Sequence, residues 1–532
     1  MIDTVALREK VLDLAIRGKL VPQDPNDEPA SVLLERIRAQ KQQMVKDGKL
    51  KVKDIKDDSI IFVGEDNLHY EKFADGTEEC IEDEIPFDIP DSWVWVRLGA
   101  LAQYKKGPFG SSITKSMFVP DSPSAIKVYE QKNAINKDAS LGNYFISEEK
   151  YESLKGFEIF PNDIIVSCAG TIGETYVMPK NMRKGIINQA LMKITLHDLR
   201  ILDFYLIYFD CQLKTAAREQ GHGVALKNIP PFDVLKKYLV PIPPIQEQTR
   251  IVDTVNDLLG TVSSIDTFKD ELFDSITSVK SKILDLAIRG KLVPQNPDDE
   301  PASVLLERIR AEKEELIKQG KIKRDKKESV IFKGEDNSYY LIQNGKSSPV
   351  DETIVFDLPE LWEWTTIPTI ANVELGKTLD RAKNTGTLYP YLRSVNIQWG
   401  DIDLSDLNEM RFEDDELEKY SVIKNDLLIC EGGDVGRCCV WDIDETFLYQ
   451  NALHRARFHA NITPKFYQYV LMSYESKGIL KRISNGVTIK HLTGTTLSFM
   501  PVPIPPVAEQ LRIIAAIESL FAQLDTIAES LN

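Results

Sequence analysis

The chain has 532 residues, 42% of them hydrophobic and 28% charged, with a formal net charge of −17. That length exceeds what one core fills, so two or more domains are expected. No apolar run reaches the roughly 18 residues of a membrane span. The opening MIDTVALREKVLDLAI lacks the layout of a secretory signal, so a cytoplasmic protein is expected. The acidic total argues against polyanion binding by the whole surface. Charge is unevenly spread, however. Residues 1–100 hold 14 Lys and Arg against 22 Asp and Glu, whereas 169–240 hold 10 against 6 and 457–499 hold 6 against 1.

Residues 4–17 read as a short helix with Leu7, Val11 and Leu14 on one face, stopped at Gly18. A second helix spans 29–47 with Pro29 near its start. Residues 48–90 are charged and turn-rich, with a hairpin-like SIIFVGEDNLHYEKF. From IPDSWVWVRLG (89–99) to VPIPP (240–244) runs a unit that mixes short strands (163–170, 191–196) with a helix (199–219), an α+β pattern. A long helix follows at about 246–289. Its apolar residues Ile251, Val255, Leu258, Val262, Ile265, Leu272, Ile276, Val279, Ile283 and Leu286 keep a 4-3 spacing with only the position of Lys269 missing and Phe268 beside it, the mark of a coiled-coil seam. About 44 residues at 1.5 Å each give a rod of ~65 Å, with Gly260 a weak point inside it. The order then repeats: accessory residues 291–358, a second α+β unit from LPELWEWTTIP (358–368) to about 501, VPIPP, and a closing helix. That last helix holds Ile513, Ile517, Leu520, Leu524, Ile527 and Leu531 in the same register. An antiparallel pairing with the central helix is expected.

Two repeats fix the architecture. Residues 11–39 and 283–311 differ at 3 of 29 positions, and VPIPPIQEQTRIV (240–252) returns as VPIPPVAEQLRII (502–514). Projected onto the centre, the two ends of the chain together rebuild one further copy of about 246–290. The expected form is a closed two-fold repeat, circularly permuted. The α+β units share only a short frame: FPNDIIVSCAGTIG with IKNDLLICEGGDVG, INQALMK with YQNALHR, and GVALKNI with GVTIKHL.

The P-x-x-W-x-W opening, the ND-[IL]-[IL] and NQAL/QNAL strands, the VPIPP-x-x-EQ helix start and the LDLAIRGKLVPQ helix end resemble the DNA-specificity subunit of type I restriction-modification systems. The resemblance covers essentially the whole chain. It implies an N-terminal part of a split helix (1–20), an accessory element (21–88), a first target recognition domain (89–245), a central helix (246–290), a second accessory element (291–357), a second target recognition domain (358–507) and a closing helix (508–532). Each domain would read one half of a split, asymmetric site in double-stranded DNA. The helices would set the gap and dock two methyltransferase subunits, and through them the restriction subunits of a phage-defence enzyme. S-adenosylmethionine, ATP and Mg would then sit on those partners, and this subunit would be non-catalytic. Two like partners need two equivalent docks, which fits the pseudo-two-fold repeat.

Base readout needs paired donors and acceptors, from Arg or Lys for guanine and Asn or Gln for adenine, while Lys also anchors phosphates. In the first unit the candidates are Lys105, Lys106, Ser111, Ser112 and Lys115 in a glycine-interrupted loop, followed by Lys127, Gln131 and Asn133. In the second they are Lys377, Arg381 and Lys383, then Arg393, Asn396 and Gln398. Lys227 and Lys490, each four residues after a glycine, are candidates for phosphate contact. Asn188, Gln189, Gln450 and Asn451 are expected to make structural hydrogen bonds. NIPPFD (228–233) reads as a turn, and EGGDVG (431–436) lacks the G-K-[ST] of a phosphate loop. The six cysteines and six histidines show no metal-ligand spacing.

Overall fold

The computed structural model describes all residues except 1, 53–54, 56–57, 169–170, 220–231, 323, 325–328, 344, 351–353, 355, 381–383, 485–490 and 532, and omits the side chains of 212–219 and 232–233. It divides into two compact units, residues 2–268 and 269–532.

The first unit opens with α1 (Thr4–Ile16), whose first turn is capped by Asp3, the carboxylate accepting the Ala6 N–H at 2.9 Å. A helix at Ala30–Lys46 and a three-stranded antiparallel sheet (Ser59–Val63, His69–Phe73, Glu78–Cys80) follow. The head is built on an antiparallel four-stranded sheet of β1 (Ala102–Lys106), β2 (Ile164–Ser167), β3 (Leu191–Leu196) and Thr175–Val177, in the order β1-β3-β2-Thr175–Val177. A second four-stranded sheet holds one parallel pair, Ile126–Tyr129 with Gly185–Ile187. Tyr205, Tyr208 and Phe209 of the helix Leu202–Glu219 join the core formed on β2 and β3. The long helix α2 (Ile245–Ile288) follows.

The second unit repeats this plan with β4 (Ala371–Leu375), β5 (Leu427–Cys430) and β6 (Leu453–Phe458) in the order β4-β6-β5-Cys438–Val440. Its second sheet again has one parallel pair, Thr387–Leu392 with Phe447–Tyr449. It ends in α3 (Val507–Leu531).

The shared motifs are turns and latches. Before β2, Asn162 takes a left-handed φ of 68°, and Asp163 folds back to accept the Phe160 N–H at 2.8 Å. Before β5, Asn425 (φ 72°) and Asp426 do the same with Ile423. Asparagine tolerates this conformation and aspartate closes the turn, which is why ND stands ahead of each strand.

Gln23 of the first VPQ donates to the buried Glu247 at 2.6 Å, and Arg250 pairs with Asp27 at 2.6 Å. In the second copy Gln295 donates to Glu509 at 2.5 Å, the Trp362 indole N–H donates to the same carboxylate at 2.9 Å, and Arg512 pairs with Asp299 at 2.6 Å. A Cβ at Gly18 (φ +66°) would lie 2.5 Å from Pro90, and one at Gly290 (φ +62°) 2.4 Å from Pro359. Thus the helix end, the P-x-x-W opening and the VPIPP-x-x-EQ helix start meet at one place in each unit. Burial raises the carboxyl pKa of both Glu247 and Glu509.

In the first unit Val11, Leu12 and Ala15 of α1 share a core with Ile251 and Val255 of α2, and Arg8 pairs with Asp266 at 3.0 Å. In the second, Ile513 and Ile517 share a core with Ile283, Leu520 and Leu524 pack against it, and Lys280 pairs with Asp525. Burial along the expected seam of α2 is uneven, with Ile251 buried and Leu286 half-buried. Val255, Val262, Ile276 and Ile283 are buried, but Leu258, Leu272 and Val279 are 38%, 38% and 45% exposed. Ile265 is half-buried.

Candidate nucleic-acid interface

Each head carries its variable loops on the same frame. The first loop leaves β1 at Gly107 and the second leaves β4 at Gly376. The Gly107 N–H donates to the Leu191 carbonyl at 2.9 Å, and the Gly376 N–H to the Leu453 carbonyl at 3.0 Å. A Cβ at either position would collide with backbone, 1.8 Å from the Asn188 oxygen or 2.2 Å from the Gln450 oxygen. Both strand ends are therefore pinned by a glycine that no larger residue replaces without a shift. Asn188 also accepts the Ala190 N–H at 3.0 Å, and Asn451 that of Ala452 at 2.6 Å, in keeping with structural roles for this stretch.

The predicted readers separate into two groups. Lys105, Lys106, Ser111 and Lys115 are exposed, Ser112 half-buried. Lys105 lies 5.0 Å from the centre of the Phe157 ring. Gln131 donates to the Thr171 carbonyl at 3.4 Å, and the exposed Gln398 to that of Val395 at 3.0 Å. Lys227, Arg381, Lys383 and Lys490 lie outside the described residues.

Four others are corrected, because burial gives them internal partners. Asn133 is 0% exposed: its carbonyl oxygen accepts the Glu130 N–H at 2.8 Å, and its amide donates to the Asp138 and Leu141 carbonyls at 2.8 Å each. Asn396, 2% exposed, repeats this with the Arg393 N–H and the Asp403 and Asp406 carbonyls, all at 2.9 Å. Lys127 is buried and donates to the Ser140 carbonyl at 2.7 Å, burial lowering its pKa. Lys377 is buried against the carboxylates of Glu413 and Glu416. Arg393 is drawn to Asp406 at 2.8 Å as well.

One contrast between the heads was missed from sequence. In the first, β1 and β3 set Lys105 opposite Lys193, two like charges side by side. Lys193 itself donates to the Glu158 carbonyl at 2.7 Å. In the second, the same two positions hold Glu374 and Arg455, joined at 2.8 Å. Arg457 is likewise bound to Asp426 at 2.7 Å. The common register thus sets a second lysine beside Lys105 in one head and a Glu–Arg pair in the other, with Lys193 also 3.7 Å from the buried Asp163. The alternation of LMKITL beside YKK carried that signal. Among the described residues no group of three or more His, Cys, Asp or Glu is placed to hold a metal ion, and no helix is long and apolar enough to cross a membrane.

Residues 90–272 and 359–532 match the family model of the type I restriction modification DNA specificity domain. The chain is 29% identical to the type I restriction enzyme EcoAI specificity subunit of Escherichia coli, over 97% of this chain and 88% of that one. It is 27% identical to the EcoEI specificity subunit of the same organism, over 99% and 90%. A solved chain of a type I R-M system superposes with a TM-score of 0.50 at 16% identity, covering 84% of this chain and 94% of that one.

Proposed function

The chain belongs to the type I restriction modification DNA specificity family, and from that membership we propose that its two heads are target recognition domains, each reading one half of a bipartite, asymmetric site in double-stranded DNA. The observation that carries this reading is the pairing of a constant frame with changed contents. Asn162 and Asn425, Asp163 and Asp426, and the glycines 107 and 376 hold equivalent turns, while the loops and strand faces between them differ. Two copies of one scaffold that present different side chains suit two different half-sites.

The exposed Lys105, Lys106, Ser111, Lys115 and Gln398 and the half-buried Ser112 and Gln131 are the described candidates for DNA contact, with Lys227, Arg381, Lys383 and Lys490 completing the set. The domain boundaries given above follow the same reading. α1 and α3, paired with α2 as an antiparallel coiled coil, act as spacer and as the dock for two methyltransferase subunits, with restriction subunits joining through these. The exposed Leu258, Leu272 and Val279 leave apolar surface on α2 for such partners. The subunit itself is non-catalytic, and methyl donor and nucleotide belong to the partners.

Methylation mapping of a host genome carrying this system tests the proposal. The expected result is adenine methylation at one bipartite motif that vanishes when this chain is deleted. Methylation unchanged by the deletion would sink it.

A further inference from the structure

Phe109 is the most exposed large hydrophobic residue described, at 85%. It sits at the tip of a loop whose two feet are fixed. Gly107 is held against β3 by its 2.9 Å hydrogen bond, Pro108 is buried, and Ile113 is buried in the core beneath the second sheet. Between the feet the Ser112 N–H donates to the Phe109 carbonyl at 2.8 Å, closing a tight turn. Nothing lies within 4 Å of a Cβ at Gly110. The ring is therefore held out on a short, braced turn, with exposed Lys105, Lys106 and Lys115 on both sides in sequence. In the second head Leu379, three residues past Gly376 at the corresponding strand exit, is 46% exposed.

An apolar side chain kept in water gains nothing for the free protein, and burial on a partner is where it is favourable. Apolar wedges flanked by cationic residues enter between base pairs, unstack one step and bend the duplex, while the cations neutralise the phosphates on either side. We propose that Phe109 is such a wedge, inserted at one base step of the first half-site, with Leu379 as its smaller counterpart in the second. This rests on the reading of the heads as DNA-recognition domains. The wedge makes deformability of that step part of what the first head recognises.

The test uses the full chain with its methyltransferase subunits. Duplexes carry the motif found by methylation mapping, with 2-aminopurine placed at successive positions. The wild type is expected to raise 2-aminopurine emission at one step of the first half-site, and separately at the adenine to be methylated, which a methyltransferase turns out of the stack to reach. Phe109→Ala should abolish the first signal, leave the second, and weaken binding roughly tenfold, within the range of a base–aromatic contact. Phe109→Trp should restore the signal, with quenched indole emission. Leu379→Ala should act on the second half-site only. Phe109→Ala with unaltered emission profile and affinity, in a protein of unchanged melting temperature, would overturn the wedge alone. A wild-type complex that does not prefer the motif over scrambled duplex would overturn the recognition reading and the wedge with it.

Discussion

Asn133 and Asn396 use their amide hydrogen-bonding groups inside the protein, and in the same way. Each closes a turn that begins three residues earlier. Replacing either with alanine leaves a backbone N–H and two carbonyls without their partner. The expected cost is about 1–3 kcal/mol of stability, read as a lower midpoint in urea, with the methylated motif unchanged. The sequence does not show this role, since an asparagine in a variable stretch looks alike as a base reader and as a turn brace. Lys377 has the same ambiguity: its partners Glu413 and Glu416 lie 36 and 39 residues away in the chain. By contrast the glycine interruption of the first loop was visible, although the backbone that Gly107 touches was not.

At the scale of elements, helices and strands were legible because periodicity reports burial directly. The first helix, expected at 4–17, spans Thr4–Ile16, and the central one, expected at 246–289, spans Ile245–Ile288. What periodicity could not show is coverage. The 4-3 spacing marks both seam positions, yet in the folded units one of them is only partly covered: Ile251 is buried, whereas Leu258, Leu272 and Val279 are exposed. Nor could it show the latches, whose residues recur as motifs without any period. Their carboxyls make a pH prediction. Burial raises the pKa of Glu247 and Glu509 in the folded state, so each binds its proton more readily there than in the unfolded chain. Their stabilising contribution is present below the ordinary carboxylate pKa and is lost as pH rises through the raised value. The melting temperature of the wild type, relative to a Glu247→Gln/Glu509→Gln double variant, should therefore fall as the pH is raised above the ordinary carboxylate range. A difference that stays flat or rises would mean that the buried carboxylates are fully compensated by Gln23, Gln295 and Trp362.

For the chain as a whole, the sequence repeats made the duplicated plan of the two units legible, while the differing heads concealed which side chains face out. The central helix supplies the clearest test of the spacer. Seven residues inserted after Phe268 preserve the heptad register and fall between the Arg8–Asp266 and Lys280–Asp525 pairs. They lengthen α2 by about 10 Å, the rise of about three base pairs. Methylation mapping should return both half-sites unaltered with a longer gap, whereas altered bases in either half-site would refute the ruler. The latches have a consequence for how the chain reaches this form. Gln23 and Glu247 stand 224 positions apart, Gln295 and Glu509 214 apart, so each latch encloses a complete head. Closing so long a loop costs entropy before any contact repays it. The folding of the enclosed head brings the ends together and lowers that cost. A helix start that is properly seated therefore reports that the head it encloses has already folded.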